Sequence, residues 1–460
     1  MPHIAIVGAG PAGMAAAIAA VEQGCSVMLV DESAREGGQI YRQPWEGLSV
    51  PGVGTMQEKS RKASLLARFA AIRDRIDHRS KTTAHSLFPG PELQIADEFG
   101  SERVEAGAVI LATGVSERAI PIPGWTLPGV MYAGAMQALF KSTGATIAKR
   151  VLIAGVGALP IVVGAQLADN GVNVVAVLLL HPLRKMAADP IGLFQGRHIV
   201  LEGLQYRRSL RAKGVPILEG WAPKRIHGEG RVRSVTVAKV CSGGNFVAGR
   251  ERSFEVDAVG LNFGFTANSE LARMAGADCR HDPLVGGWVP VRDHSGMTSV
   301  PGIFVAGDGA ELRGALVAEA EGYIVGALAA ATVAKRTAPD LTLLRRELER
   351  NKRFQLAFRR TLRLPEGVWK WADDDTVVCR CEGVTLGRLN RAIGDGHLTL
   401  DAIKRNTRCA MGWCGGRTCL QAVAGYIGKP EGEEGLKPMR ARPVARPVKL
   451  GALANLRDSK

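Results

Sequence analysis

One glycine-rich stretch constrains the fold of this chain more than any other part of its sequence. IAIVGAGPAGMAAAIAAVEQGCSVMLVDE, residues 4–32, contains an apolar strand, a loop, a helix of small residues and a second strand. The loop has G-x-G-x-x-G spacing, with glycines at Gly8, Gly10 and Gly13. In this arrangement the first glycine makes a tight turn, the second admits a pyrophosphate at the positive end of the helix, and the third lets helix pack on strand. The stretch therefore predicts a Rossmann-type α/β unit that binds a dinucleotide.

The predicted nucleotide site extends along the same stretch. The helix is expected from Pro11 to about Gln23, so Pro11 and Ala12 belong to the phosphate-binding loop. The second strand ends at Asp31, whose carboxylate can accept hydrogen bonds from a ribose diol. Glu32 is the less favoured source of that carboxylate.

Three further segments indicate which dinucleotide binds. EGGQIYR (36–42) follows the second strand, AVILATG (108–114) ends a strand at Thr113 and Gly114, and GIFVAGDGA (302–310) ends one at Gly307 and Asp308. Together they resemble the two-dinucleotide-binding-domain flavoproteins, which include glutathione and thioredoxin reductases. The resemblance implies that the first loop binds FAD, with Asp308 at the ribityl and pyrophosphate region. It places the flavin beside Gly37, Gly38 and Gln39.

A second glycine-rich loop, in residues 150–185, is altered. Gly155 and Gly157 are present, but Pro160 replaces the third glycine, and Leu180 stands where a ribose-binding acid is expected. Proline is tolerated in the first turn of a helix, so the fold should survive. We expect a retained Rossmann-like domain whose nucleotide site is lost or altered. Whether this site binds NAD(P), ATP or ADP, or no ligand is left open. No C-x-x-C pair occurs in the first 350 residues, which argues against a disulfide reductase.

Five of the eight cysteines lie in residues 377–428. Cys379 and Cys381 form C-x-C, and Cys414 and Cys419 form C-x-x-x-x-C. Four thiolates can hold zinc or an iron–sulfur cluster. Zinc ribbons usually use two C-x-x-C knuckles, so this spacing favours 2Fe–2S, with zinc and no metal as alternatives. Cys409 is expected to be a small core residue.

Local signals predict short helices around these cysteines. Thr385 and Thr399 are expected to cap two of them, and Cys419 to open a third. The stretch resembles the bacterioferritin-associated-ferredoxin type of 2Fe–2S domain. The wider spacing of the second cysteine pair departs from the C-x-x-C common in that type.

Composition excludes some classes of protein. The net charge is +15, but the basic residues are dispersed and no zinc-finger or recognition-helix pattern occurs, so no nucleic-acid partner is expected. The longest apolar run, VNVVAVLLL, has nine residues, which is too short for a transmembrane helix. No secretory signal is recognised at the N-terminus. The expected location is the cytoplasm, with at most peripheral contact with the inner membrane.

The predicted fold class is α/β: a flavoprotein with two Rossmann-like dinucleotide-binding domains plus a small helical 2Fe–2S domain. The expected domains are a discontinuous FAD-binding domain (1–115 and 296–335), a second Rossmann-like, NAD(P)-type domain (116–295), a helical linker (336–376), the 2Fe–2S domain (377–428) and a C-terminal tail (429–460).

Nearly the whole chain resembles the α subunit of heteromeric bacterial FAD-dependent amino-acid and opine dehydrogenases. The resemblance rests on EGGQIYRQP, LEGLQYRRSLRAKGVP, the long stretch from VGLNFGFTANSELA to GALVAEAEG, and the cysteine motifs. That group includes opine oxidases, hydroxyproline dehydrogenases, dye-linked proline dehydrogenases and a hydrogen cyanide synthase subunit. The resemblance implies a catalytic flavoprotein β subunit, with a small γ subunit as a further candidate. It also implies FMN at a subunit interface in some relatives, and a quinone or the respiratory chain as acceptor.

The function expected from the sequence is therefore an FAD- and 2Fe–2S-containing electron-transfer subunit whose partner oxidises the substrate. One alternative is a stand-alone NAD(P)H-dependent reductase, which an intact second loop would support. The other is a non-enzymatic cluster carrier, against which the complete first loop argues. No catalytic residue is assigned.

Overall fold

The computed structural model describes residues 4–50, 52–282, 287–359, 361–428 and 436–457. The strands are β1 Ile4–Val7, β2 Val27–Val30, β3 Asp77–Arg79, β4 Thr83–Phe88, β5 Glu92–Ala96, β6 Ser101–Glu105, β7 Ala108–Leu111, β8 Val115–Glu117, β9 Val130–Tyr132, β10 Arg150–Gly155, β11 Asn173–Leu179, β12 Ile217–Glu219, β13 Trp221–His227, β14 Ser234–Val240, β15 Phe246–Glu255, β16 Ala258–Asn262, β17 Phe265–Ala267, β18 Cys279–Asp282, β19 Gly287–Pro290, β20 Ile303–Val305, β21 Val377–Cys379, β22 Val384–Thr385 and β23 Leu456–Arg457.

The α-helices are α1 Pro11–Glu22, α2 Met56–Ala70, α3 Ala133–Thr143, α4 Leu159–Asp169, α5 Pro190–Gln195, α6 Arg197–Ala212, α7 Glu270–Met274, α8 Ala315–Ala334, α9 Thr342–Arg359, α10 Leu386–Gly394, α11 Leu400–Thr407, α12 Leu420–Ile427 and α13 Leu450–Ala454. Short 3₁₀ turns lie at Arg73–Arg75, Leu183–Ala188, Gly307–Gly309 and Glu366–Lys370.

The first Rossmann-like unit is built on a parallel sheet with strand order β20-β7-β1-β2-β3. Strand β1 pairs with β2 on one side and β7 on the other, and all four of its residues are buried. Burial on both faces explains why these strands read as continuous apolar runs. The sheet brings the carboxyl ends of β1, β2, β7 and β20 to one edge, where the predicted nucleotide site lies.

Helices α1 and α8 cross in close contact because both consist of small residues. A Cβ atom added at Gly322 would lie 2.1 Å from the carbonyl oxygen of Ala12, and one at Gly326 would lie 2.4 Å from that of Ala16. Among the described helices, α8 alone is long and apolar enough to cross a membrane, and 56% of its apolar window is buried inside the protein. Because α8 packs against α1 in this way, its apolar composition is that of a core helix.

The second unit repeats the plan with strand order β12-β11-β10-β16-β9, again parallel. Helix α4 follows β10, and Pro160 lies in its first turn, as the sequence predicts. The antiparallel pair β8–β17 carries the chain between the two units. The fold is thus the predicted α/β architecture with two Rossmann-like units and a small helical domain.

Core packing bears on the predicted domain limits, which stay predictions. Leu271 and Ala275 pack in one cluster with Val305 and other residues of the first unit. This contact favours an end of the second unit near residue 267 in place of 295. In the predicted linker, Leu362, Val368 and Trp371 join the core of the second unit.

The cysteine-rich segment folds as a hairpin, β21–β22, followed by α10, α11 and α12. The predicted caps are confirmed, since the Thr385 side chain accepts a hydrogen bond from the backbone of Arg388 and that of Thr399 from Ala402. Cys419 occupies the N-cap position of α12. The described part of the tail returns to the first unit, where β23 pairs with β6.

Candidate functional site

The first glycine-rich loop is shaped by three glycines with three different surroundings. A Cβ atom added at Gly8, whose φ is +105°, would lie 2.4 Å from the carbonyl oxygen of Ala112, and one at Gly13 would lie 1.7 Å from that of Gly8. At Gly10 the nearest atom is the Cα of Gly38, 3.9 Å away. The first and third glycines are therefore required by the protein itself, whereas Gly10 faces open space that a pyrophosphate can fill.

Asp31 is fixed at the end of β2 by backbone donors. Its Oδ2 accepts a hydrogen bond from the Ala9 amide at 2.6 Å, and its Oδ1 accepts one from the Ser33 amide at 2.7 Å. Both Asp31 and Glu32 line the cavity beside the loop. The carboxylate of Asp31 is thus preorganised at the place where the sequence predicts the ribose contact.

Asp308 is oriented in the same way on the opposite side of the cavity. The amides of Arg313 and Gly314 donate to its Oδ1 at 2.9 and 2.8 Å. Burial raises the pKa of this carboxyl, and the two amide hydrogen bonds act in the other direction. A carboxylate held in this way can accept hydrogen bonds from donors such as ribityl hydroxyls, and it is less suited to contact a phosphate.

These residues surround one cavity of about 1130 Å³. Gly37 does not line it, but eleven of the fourteen residues predicted at the cofactor do: Gly8, Gly10, Pro11, Ala12, Asp31, Glu32, Gly38, Gln39, Thr113, Gly114 and Asp308. Gly13 and Gly307 lie behind the wall, and a Cβ at Gly307 would lie 2.7 Å from that of Ala12. The cavity continues past the flavin region toward the second unit and toward the cysteine module, which comprises residues 377–428.

A half-buried residue that no motif predicts, Glu117, lies on this wall. Its Oε1 accepts hydrogen bonds from the Asn262 side chain at 2.7 Å and from the Gly134 amide at 3.0 Å. Burial raises the pKa of Glu117 to about 7, although these donors lower it. The hydroxyl of Tyr132 is buried in the same wall. Glu117 can therefore hold or release a proton near neutral pH.

The second glycine-rich loop is covered by the protein itself at Gly157, although Val156, Ala158 and Leu159 line the cavity. A Cβ atom added at Gly157 would lie 2.6 Å from Cδ2 of Leu362 and 3.2 Å from Cζ of Phe358. His181 Nε2 donates to the carbonyl oxygen of Arg363 at 2.6 Å, which fixes the same segment on this loop. The position that corresponds to the open face of Gly10 is thus filled by apolar side chains.

The structure brings the five clustered cysteines together. The Sγ atoms of Cys379, Cys409 and Cys419 all lie within 4.8 Å of one another, and all three residues are buried. Hydrogen bonds from the thiols of Cys409 and Cys419 hold the pKa of Cys379 well below its usual range. Burial and the neighbouring Cys414 thiol raise the pKa of Cys381.

This donor set fits a 2Fe–2S cluster, which uses four thiolates. Cys379, Cys381, Cys414 and Cys419 remain the predicted ligands, and the structure places Cys409 beside two of them. Glycines shape the loop between the sulfurs, since a Cβ atom at Gly412 would lie 2.2 Å from that of Cys381. When bound, the cluster supplies one-electron transfer.

The cysteine module lies between the flavin cavity and the protein surface. Cys414, Arg417 and Thr418 contribute to the cavity wall. The neighbouring Trp413 is 78% exposed. A group held by Cys414 therefore lies between the flavin site and solvent.

Comparison with known proteins agrees with this geometry. The family model of the pyridine nucleotide-disulphide oxidoreductases matches residues 2–334, and that of the BFD-like [2Fe-2S] binding domain matches residues 377–429. The chain belongs to the pyridine nucleotide-disulphide oxidoreductase family and is a flavin oxidoreductase with an added 2Fe–2S domain. Its cofactors are FAD and a 2Fe–2S cluster.

Two relatives match over nearly the full chain. The hydrogen cyanide synthase subunit HcnB of Pseudomonas aeruginosa is 32% identical, with 98% of each chain covered. An opine oxidase subunit of Agrobacterium tumefaciens is 34% identical, with 98% of this chain and 91% of the relative covered. Among solved structures, L-proline dehydrogenase from P. horikoshii has a TM-score of 0.69 at 21% identity, covering 98% of this chain and 79% of that one. The last similarity supports the fold.

Proposed function

We propose that this chain is the electron-transfer subunit of a heteromeric dehydrogenase that oxidises an amino acid, hydroxyproline or opine. The substrate is oxidised in a partner flavoprotein subunit. The observation that carries the proposal is the contrast between two walls of one cavity. Cys414 of the cluster module lies in the wall beside the flavin site, whereas Leu362 and Phe358 cover the second nucleotide loop.

Individual residues of this chain have specific roles in that function. Gly10 leaves space for the pyrophosphate, and Asp31 and Asp308 accept hydrogen bonds from sugar and ribityl hydroxyls. Glu117 holds the proton that accompanies a change in flavin charge, because its pKa of about 7 lets both protonation states occur near neutral pH. Burial of Cys379 and Cys419 shields two of the predicted ligand sulfurs from water, whereas Cys381 and Cys414 are half-buried.

The relatives support an assembly of several subunits, since they are named as subunits of hydrogen cyanide synthase and opine oxidase. We further propose that the partners are a small γ subunit together with a catalytic flavoprotein β subunit. The same proposal includes FMN at a subunit interface, a quinone or the respiratory chain as electron acceptor, and peripheral contact with the inner membrane. The exposed Trp413 beside Cys414 marks the surface through which electrons enter or leave.

The two rival functions are disfavoured by specific features. A stand-alone NAD(P)H-dependent reductase needs an accessible second nucleotide site, and Leu362 and Phe358 cover Gly157 of that loop. A non-enzymatic cluster carrier does not need the open Gly10 face or the fixed carboxylates of Asp31 and Asp308.

The experiment is to purify the chain with its native partners and assay a panel of opines, prolines and hydroxyprolines with an artificial dye acceptor. Activity of the complex with no activity of the separated chain supports the proposal. Amine oxidation by the separated chain, at the rate of the complex, contradicts it.

A further inference from the structure

Three cationic side chains converge on the cavity wall beside the predicted flavin contact Gln39. They come from three elements: Arg42 from the loop after β2, Lys62 from α2, and Lys141 from α3. The Lys62 ammonium donates to the carbonyl oxygen of Arg42 at 3.0 Å, and the Lys141 ammonium donates to that of Ile40 at 2.9 Å. Both ammonium groups are thus held against the same short segment of backbone.

These three cations lack carboxylate partners. Within the part of the chain that the structure describes, none of them forms an ion pair; Nη2 of Arg42 donates to Oε1 of Gln39 at 3.0 Å, and its Nε is buried with no hydrogen-bond partner. The acidic residues nearby are engaged elsewhere. Glu202 binds the Arg61 guanidinium through both oxygens, and Glu58 accepts hydrogen bonds from the Thr55 amide and the Tyr206 hydroxyl.

The pKa values of both lysines are lowered in this arrangement. Burial lowers the pKa of Lys62, and the Arg35 charge lowers it further. Burial lowers the pKa of Lys141 to about 8; the Glu58 carboxylate acts in the opposite direction, and the charges of Lys62 and Arg42 lower the pKa further. Partly buried cations are normally paired, because an uncompensated charge in a protein cavity is costly. A cavity wall that keeps three of them without an ion pair is suited to an anionic ligand.

From this geometry we propose that Arg42, Lys62 and Lys141 form a binding site for a phosphate monoester, separate from the pyrophosphate position at Gly10. The chemical class follows from charge. Three cations and the Glu58 carboxylate leave a net formal charge of two, which a phosphate monoester compensates at neutral pH. Arg42 supplies a planar fork of donors and the lysines supply mobile ones, as in other phosphate sites. The phosphoryl group could belong to a mononucleotide or to a phosphorylated small molecule.

The test uses the FAD-loaded chain and calorimetric titration at low salt with inorganic phosphate, acetate, AMP and FMN. We expect inorganic phosphate to bind more tightly than acetate. The variants Lys62→Gln and Lys141→Gln should each weaken phosphate binding at least tenfold. Lys149→Gln, at an exposed lysine outside the cavity, is the matched control and should bind as the wild type does. Tighter binding of FMN than AMP identifies a flavin mononucleotide as the source, and the reverse identifies an adenine nucleotide.

A second measurement does not depend on variants. Because the Lys141 amine is partly deprotonated near pH 8, it should react with an amine-selective reagent, and phosphate should protect both Lys141 and Lys62 from modification. Equal affinity for phosphate and acetate, or no protection of either lysine, overturns the proposal. Loss of FAD from the Lys62→Gln and Lys141→Gln variants also overturns it, since the cations would then serve the dinucleotide itself.

Discussion

Leu362 lies against Gly157 at the point where a nucleotide pyrophosphate would have to approach the second glycine-rich loop. A Cβ atom at Gly157 would fall 2.6 Å from Cδ2 of Leu362, whereas one at Gly10, the equivalent glycine of the first loop, would meet nothing closer than 3.9 Å. Two loops of similar sequence thus differ in accessibility at this glycine position. The segment that makes the difference lies about 200 residues after Gly157 in the sequence.

The first prediction follows from this cover. Neither NADH nor NADPH should reduce the flavin of the isolated chain at a rate useful for turnover, as measured by anaerobic stopped-flow absorbance. Leu362→Ala should not restore reduction, because Leu180 still replaces the acid that would bind the ribose hydroxyls. Each unpaired buried hydroxyl costs roughly 1–3 kcal/mol. Rapid reduction of the wild-type flavin by either nucleotide would support the stand-alone reductase instead.

The second prediction concerns Gly10. The Gly10→Val variant should fold and lose FAD, because its side chain enters space that is open in the protein but required by the pyrophosphate. Flavin content per folded chain is the measurement. Gly203→Val on α6, where a Cβ also meets nothing within 4 Å, is the matched control and should keep FAD. A folded Gly10→Val protein with a full complement of flavin would show that FAD binds elsewhere.

The features that the sequence predicted are those that depend on residues close together in the chain. The glycine spacing predicted the first loop and the start of α1 at Pro11, and single threonines predicted the caps of α10 and α11. These features are local, so the residue types and their spacing are sufficient to define them.

Contacts between distant segments were not predicted. Glu117 meets Asn262 across 145 residues, and Leu362 reaches Gly157 only because the linker folds back onto the second unit. The position of Cys409 beside Cys379 and Cys419 also depends on how three separate segments meet. No local pattern encodes such contacts, because they arise from packing of the complete chain.

The third prediction tests the ligand set. Iron and acid-labile sulfide should be present at about two each per chain, as a 2Fe–2S cluster requires. Cys414→Ser should remove the cluster, and Cys409→Ser should leave it in place. Chemical analysis and electron paramagnetic resonance of anaerobic preparations provide the measurement. Loss of the cluster in Cys409→Ser, with retention in Cys419→Ser, would assign Cys409 as a ligand; zinc without sulfide would exclude the cluster.

The fourth prediction is a pH dependence that arises from Glu117. Because its pKa is raised from 4.5 to about 7 in the folded protein, its protonated form is favoured by folding. The stabilisation is fully present below pH 4.5 and is lost as pH rises toward 7, by no more than about 3 kcal/mol. Glu117→Gln should therefore become more stable relative to the wild type across this interval. Denaturant unfolding at several pH values measures the difference, and a difference that does not change with pH would contradict the assignment.

The most direct test of the electron-transfer account compares one signal in two preparations. The 2Fe–2S cluster of this chain is monitored by electron paramagnetic resonance after anaerobic mixing with the amine substrate identified for the complex. We predict that the cluster is reduced within the turnover time in the reconstituted complex and stays oxidised in the isolated chain. Reduction of the cluster in the isolated chain, or turnover of the complex with the cluster still oxidised and with no loss of rate in Cys414→Ser, would contradict the account.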